Sequence, residues 1–137
     1  MNPDIIFDRL KEIEDNLVIL EKLAELDEPA FISNPEKYKL AERCFQLVIE
    51  SMLDVAHYIL AQKNLPRAEG GEALDSLGEY GVIPPDFARE IRPLAGLRNI
   101  LVHEYLKIDR RKVYDYLKEL DEIREFVAYL VKFVDND

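Results

Sequence analysis

The sequence predicts an all-α protein, an antiparallel four-helix bundle with one additional short helix. Three observations predict it. Apolar residues recur at spacings of three and four through most of the chain. The segments patterned in this way are separated by proline, glycine and asparagine at positions where helices start and stop. No segment alternates apolar and polar residues as a half-buried strand would. With 137 residues, 48% of them hydrophobic, a single domain spanning 1–137 has enough apolar material for one core.

The first helix is expected over about residues 3–26. Ile6, Leu10, Ile13, Leu17, Leu20 and Ala24 wind one apolar stripe there, and Pro3 sits where a first turn tolerates it. A connector from Glu28 to Pro35 follows. The second helix starts where Asn34 can cap and Pro35 can open it, turns Ala41, Cys44, Val48, Met52, Val55 and Ile59 inward, and ends near Lys63. Gly70-Gly71 precede a short helix holding Leu74, Leu77 and Tyr80. Gly81 and Pro84-Pro85 separate it from a helix running into residues 98–103. Asp109 then caps a last helix reaching about residue 134, whose broad apolar face holds Val113, Tyr116, Leu117, Leu120, Ile123, Val127, Leu130 and Val134.

Composition bounds the function. The longest uncharged apolar runs are a few residues, far below the roughly 20 that span a bilayer. Met1-Asn2-Pro3-Asp4 lacks the basic lead of a secretory signal, so a soluble cytoplasmic protein is expected. Cys44 stands alone, which excludes an intrachain disulfide, and it sits among Leu40, Ala41, Leu47 and Val48 as a core residue would. Two histidines do not make a Cys/His metal cage, so neither metal nor cofactor is expected.

The chemistry concentrates in Arg98-Asn99-Ile100-Leu101-Val102-His103-Glu104-Tyr105. An imidazole exchanges protons near neutral pH, and a guanidinium stays charged and grips phosphate oxygens with two prongs. Together they suit phosphodiester cleavage. His103 would assist attack by an RNA 2′-hydroxyl or protonate the leaving oxygen, while Arg98 offsets charge on the non-bridging oxygens. Taken alone, an Arg and a His near a helix end are more often surface or capping groups. Residues five apart on a helix lie about 140° apart. Arg98 and His103 therefore share a face only if the helix ends near Val102; otherwise two subunits complete one site.

The spacing of Arg98, His103 and Tyr105, with Leu94 and Leu97 ahead and Ile108-Asp109 and Val113-Tyr114 behind, resembles the R-x4-H-x-Y motif of the HEPN superfamily. Within it the likeness is to the HepT-like ribonuclease toxins of HepT/MntA-type toxin–antitoxin pairs. The resemblance covers Tyr38 to the last helix. It implies a HEPN-like bundle, a two-fold homodimer around the motif helix, and a metal-independent endoribonuclease with Arg98 and His103 in catalysis and Asn99 positioning them. It also implies a nucleotidyltransferase antitoxin that adenylylates Tyr105 and so shuts the enzyme down. An anionic adduct on that phenol would fill the cleft and compete for its arginines. HEPN domains include non-catalytic members. The alternatives are thus a helical module binding a nucleotidyltransferase or nucleotide with the same residues, or a dimeric scaffold without a chemical role.

Charge adds two further readings. The chain carries a net −10, against tight nonspecific nucleic-acid binding. Residues 89–112, however, hold seven cationic side chains against three acidic ones, a local +4 in a remainder of −14. Arg92, Lys107, Arg110 and Arg111 are the expected RNA contacts in a cationic cleft; Arg110 to Lys112 also sit at a helix N-terminus, where the dipole disfavours cations. On the second helix Glu42, Gln46, Glu50, Asp54 and His57 form a polar stripe. It is either a solvated side, or Glu50 and Asp54 face the motif and hold Arg98 by charge-assisted hydrogen bonds.

Overall fold

A computed structural model describes residues 1–103 and 107–136. Among them are eight helices and no strand: α1 (Pro3–Leu23), α2 (Glu28–Ile32), α3 (Pro35–Gln62), α4 (Gly71–Glu79), α5 (Pro85–Ile91), α6 (Pro93–His103), α7 (Arg110–Leu117) and α8 (Leu120–Asp135). Their starts follow local chemistry. Asn2 and Asn34 accept from the amides of Asp4 and Glu36, each ahead of a first-turn proline. Asp109 accepts from the Arg111 amide at 3.0 Å and caps α7 as expected.

The long helices run antiparallel, which the cross-links between them demonstrate. The Asn2 amide donates to the Tyr58 hydroxyl and Arg9 pairs with Asp54, so α1 descends as α3 rises. Lys118 donates to the Ala24 carbonyl and Arg124 pairs with Glu21, which sets the start of α8 against the end of α1. α3 is the central element, packed by α1, α2, α4, α6 and α7. It is long and apolar enough to cross a bilayer by composition, but its apolar residues are spent inside: Phe45, Val48, Ile49, Met52 and Ile59 are fully buried. Cys44 is buried beside them, and burial pushes its thiol pKa up.

Five expectations are corrected. The supposed connector contains α2: Asp27 accepts from the Ala30 amide at 2.8 Å, Pro29 lies in the first turn, and Phe31 is driven fully into the core. The helix entering the motif is two helices, because Pro93 has no amide to donate and its ring would clash with the preceding turn. The last helix is also two. No proline or glycine stands at Lys118-Glu119; α7, with Val113 and Leu117 buried, packs on α2, α3 and α1, while α8, with Leu120, Ile123, Phe126 and Leu130 buried, packs on α1 and α5. Finally, α1 stops at Leu23, and Tyr80 falls one residue past the end of α4, where it is exposed.

Two left-handed residues close the two helices that flank the 65–70 connection, which walls the site. Gly81 (φ +77°) closes α4, with the Val82 amide reaching the Leu77 carbonyl. Asn64 (φ +56°) does the same for α3, the Leu65 amide reaching Leu60. The chain thereby turns back along α3 through residues 65–70.

Candidate functional site

α6 lies on α3, and this contact brings the motif to the polar stripe. Arg98 Nη2 is 3.5 Å from Glu50 Oε1, Asn99 Oδ1 is 3.5 Å from Arg98 Nη1, and Gln46 Nε2 donates to Glu50 at 3.2 Å. The expected Glu50–Arg98 pairing is present. Asp54 instead pairs with Arg9 at 3.5 Å, because it sits a turn further along α3, opposite α1. The Arg98–Glu50 pair is half-buried, and the guanidinium is held loosely: both contacts are long, and Nε is buried without a hydrogen-bond partner among the described residues.

Arg98 and Asn99 open onto a cleft of about 770 Å³. One wall is α3, with Glu50, Asp54 and His57; the opposite wall is the 69–72 turn and Arg92. His57 Nε2 donates to the Ala68 carbonyl at 2.9 Å and pins that turn to α3. A hydrogen bond from Arg67 holds the Glu69 carboxyl below its usual range, so this rim stays anionic. Arg92 pairs with Asp75 and presses on Gly71, where a β-carbon would come within 3.0 Å of the Arg92 Cγ. The cleft is therefore not the cationic one expected: Glu50, Asp54, Glu69 and Glu72 line it against Arg92 and Arg98.

α6 continues through both motif residues to His103, so Arg98 faces α3 while His103 is exposed on another side. One helix does not bring the two together. The Tyr105 assignment lies outside the described residues. The remaining basic residues disperse. Lys107 is exposed; Arg111 is 3.5 Å from Glu28; Arg110 is 3.6 Å from Glu42 and stacks on the Tyr38 ring at 4.1 Å. Those partners answer the dipole problem at the start of α7, since carboxylates from α2 and α3 sit against its cations. The partnership of Tyr38 with Arg110, separated by 72 positions, had no signal in the sequence.

Comparisons with known proteins bear on the family and the fold. A family model described as Ribonuclease HepT-like matches residues 13–130. A tRNA nuclease HepT from Aphanizomenon flos-aquae is 35% identical over 115 residues, covering 83% of this chain and 78% of that protein. Among solved structures, a tri-AMPylated HEPN toxin of Shewanella oneidensis, in complex with its MNT antitoxin, superposes with a TM-score of 0.84 at 21% identity, over 96% of this chain and 99% of that one. YutE of Bacillus subtilis, a cytosolic protein of unknown function, superposes with a TM-score of 0.85 at 18% identity, over 99% and 92%. Motif, fold and sequence similarity agree, and the chain belongs to the HepT-like ribonuclease family.

Proposed function

We propose that this chain is the endoribonuclease toxin of a prokaryotic toxin–antitoxin pair, acting on RNA in the cytoplasm. The observation that carries this reading is Arg98: a motif guanidinium braced by Glu50 at 3.5 Å at the wall of an open polar cleft, with its fork unsaturated. In the reaction the 2′-hydroxyl loses its proton and attacks phosphorus, the bond from phosphorus to the 5′-oxygen breaks, and that oxygen takes up a proton. The products are a 2′,3′-cyclic phosphate and a 5′-hydroxyl. His103 serves one of the two proton transfers and Arg98 offsets charge on the phosphoryl oxygens, so no metal takes part.

The outward face of α6 supports a homodimer. Gly96 has open space where a side chain would be, and Asn99, Ile100 and His103 are exposed around it. A second copy packed on this face would place its His103 beside the Arg98 that its own helix keeps apart, and Asn99 would position both. Arg92, Lys107, Arg110 and Arg111 contribute to RNA capture. Tyr105 is the acceptor for adenylylation by a nucleotidyltransferase antitoxin; supporting this, the superposed Shewanella toxin is itself tri-AMPylated and bound to an MNT antitoxin.

The test uses the chain expressed without any partner, incubated with mixed RNA in excess EDTA beside His103→Ala. Cleavage by the wild type alone, leaving cyclic phosphate ends, is the expected result. Intact RNA with both proteins, while mass spectrometry finds Tyr105 unmodified, would favour the non-catalytic binding module.

A further inference from the structure

At the other end of the polar stripe on α3 lies a second concavity of about 550 Å³, whose chemistry differs from that of the motif cleft. Tyr38 and Glu42 form its floor with Arg110, and Lys39 and Arg43 stand exposed on its rim. Three cations here face one carboxylate, the reverse of the acid-rich cleft. Arg110 covers the Tyr38 ring at 4.1 Å, presenting a flat cationic surface. Glu42 Oε2 and Arg110 Nε are both buried without a hydrogen-bond partner among the described residues, although their pair distance is 3.6 Å. Buried polar groups are nearly always satisfied, and among the described residues these two atoms have only each other, at a distance longer than a hydrogen bond. Burial raises the Glu42 carboxyl above its ordinary range against the opposing pull of Arg110 and Lys39, which favours a group able to donate as well as accept. Neither Lys39 nor Arg43 is engaged in a salt bridge among the described residues.

An aromatic–guanidinium plane with hydrogen-bonding groups and rim cations is the equipment that holds a splayed base and its phosphate. Position completes the argument. Gln46 links the concavity to Glu50 and so to Arg98. Eight residues of helix separate Glu42 from Glu50, about 12 Å, several times the roughly 3.4 Å of one stacked nucleotide step. We propose that the concavity of Tyr38, Glu42 and Arg110, rimmed by Lys39 and Arg43, is a ribonucleotide subsite. It takes the base and phosphate of an RNA strand at least two nucleotides away from the bond cleaved at the motif. The proposal rests on the endoribonuclease reading and adds the part of the substrate that is read.

The experiment measures affinity of a labelled hexaribonucleotide and a diribonucleotide by fluorescence anisotropy, in the His103→Ala background so that neither is consumed. Tyr38→Ala and Arg43→Ala should each weaken the hexanucleotide by about tenfold more than the dinucleotide, which cannot reach from motif to concavity, and Tyr38→Phe should restore binding. Equal losses for both lengths, or none, overturn the subsite. So does 5′-AMP binding as tightly as the hexanucleotide, since that marks a free-nucleotide pocket. The two readings fail separately. If a protein with intact His103 cleaves RNA while hexanucleotide affinity ignores Tyr38 and Arg43, the subsite falls alone; length-dependent binding without any cleavage leaves the subsite and removes the catalytic reading.

Discussion

Glu50 Oε1 lies 3.5 Å from Arg98 Nη2, joining the central helix to the motif across 48 positions of sequence. The same carboxylate accepts from Gln46 one turn earlier, so Arg98 is braced by a short polar chain along α3. α3 itself is fixed by its buried apolar face, so Glu50 is a fixed anchor point for a guanidinium whose own contacts are long.

Removing that brace should impair cleavage without unfolding the chain. Glu50→Ala is expected to lower kcat/KM by about 10²-fold, since small misplacement of a positioned group costs on that scale. Glu50→Gln, which keeps the acceptor oxygen, should lose less. Arg98→Lys should fall close to Arg98→Ala, because an ammonium retains the charge and loses the fork. Steady-state kinetics on RNA with melting curves for each variant check all three.

Gly78 is a packing position between α4 and α5. A β-carbon there would lie 2.8 Å from the Ala88 Cβ and 3.2 Å from the Pro85 Cα. Alanine would gain about 1 kcal/mol of helix propensity, but overpacking against a proline backbone costs about 1–3 kcal/mol. Gly78→Ala should therefore lower Tm, as measured by circular dichroism; an unchanged or higher Tm would mean that α5 moves aside freely.

Glu122 sets a pH dependence of stability. Burial, then Glu119, Glu90 and Glu125, push its carboxyl above the ordinary 4.5. Between its unfolded and folded values the native state binds more protons, so its contribution to stability is present at low pH and lost as pH rises through that window. Glu122→Gln should be more stable than wild type at pH 7, and the difference should vanish in acid well below the ordinary 4.5 of a glutamate. Parallel melts at the two pH values decide.

α2 should behave as part of the core. Phe31 is fully buried and its ring centroid lies 5.6 Å from that of Tyr114 on α7. Phe31→Ala should cost about 3–5 kcal/mol in denaturant unfolding. A loss below about 1 kcal/mol would show that the segment is a surface connector after all.

The sequence alone determined the helical class, the caps at Asn34 and Asp109 and the burial of Cys44, because each follows from neighbours within a few turns. It also contained the motif from which the family could be read. α2 was legible in principle from Asp27 and Pro29, and the break at Pro93 from that proline's missing amide.

Tertiary structure decided the rest. The break at Lys118 has no local breaker; the two segments of one apolar stripe share α1 but reach different further partners, α2 and α3 for α7 and α5 for α8. The basic run around the motif scatters once folded: helix geometry points successive residues in different directions, and Glu42, Glu28 and Asp75 on other elements capture Arg110, Arg111 and Arg92. Net charge along a segment says how many cations it holds; only packing assigns them to a cleft. For the same reason the Arg98–Glu50 brace and the Tyr38–Arg110 plane emerge in space alone, where helices distant in sequence are pressed together by the residues they bury.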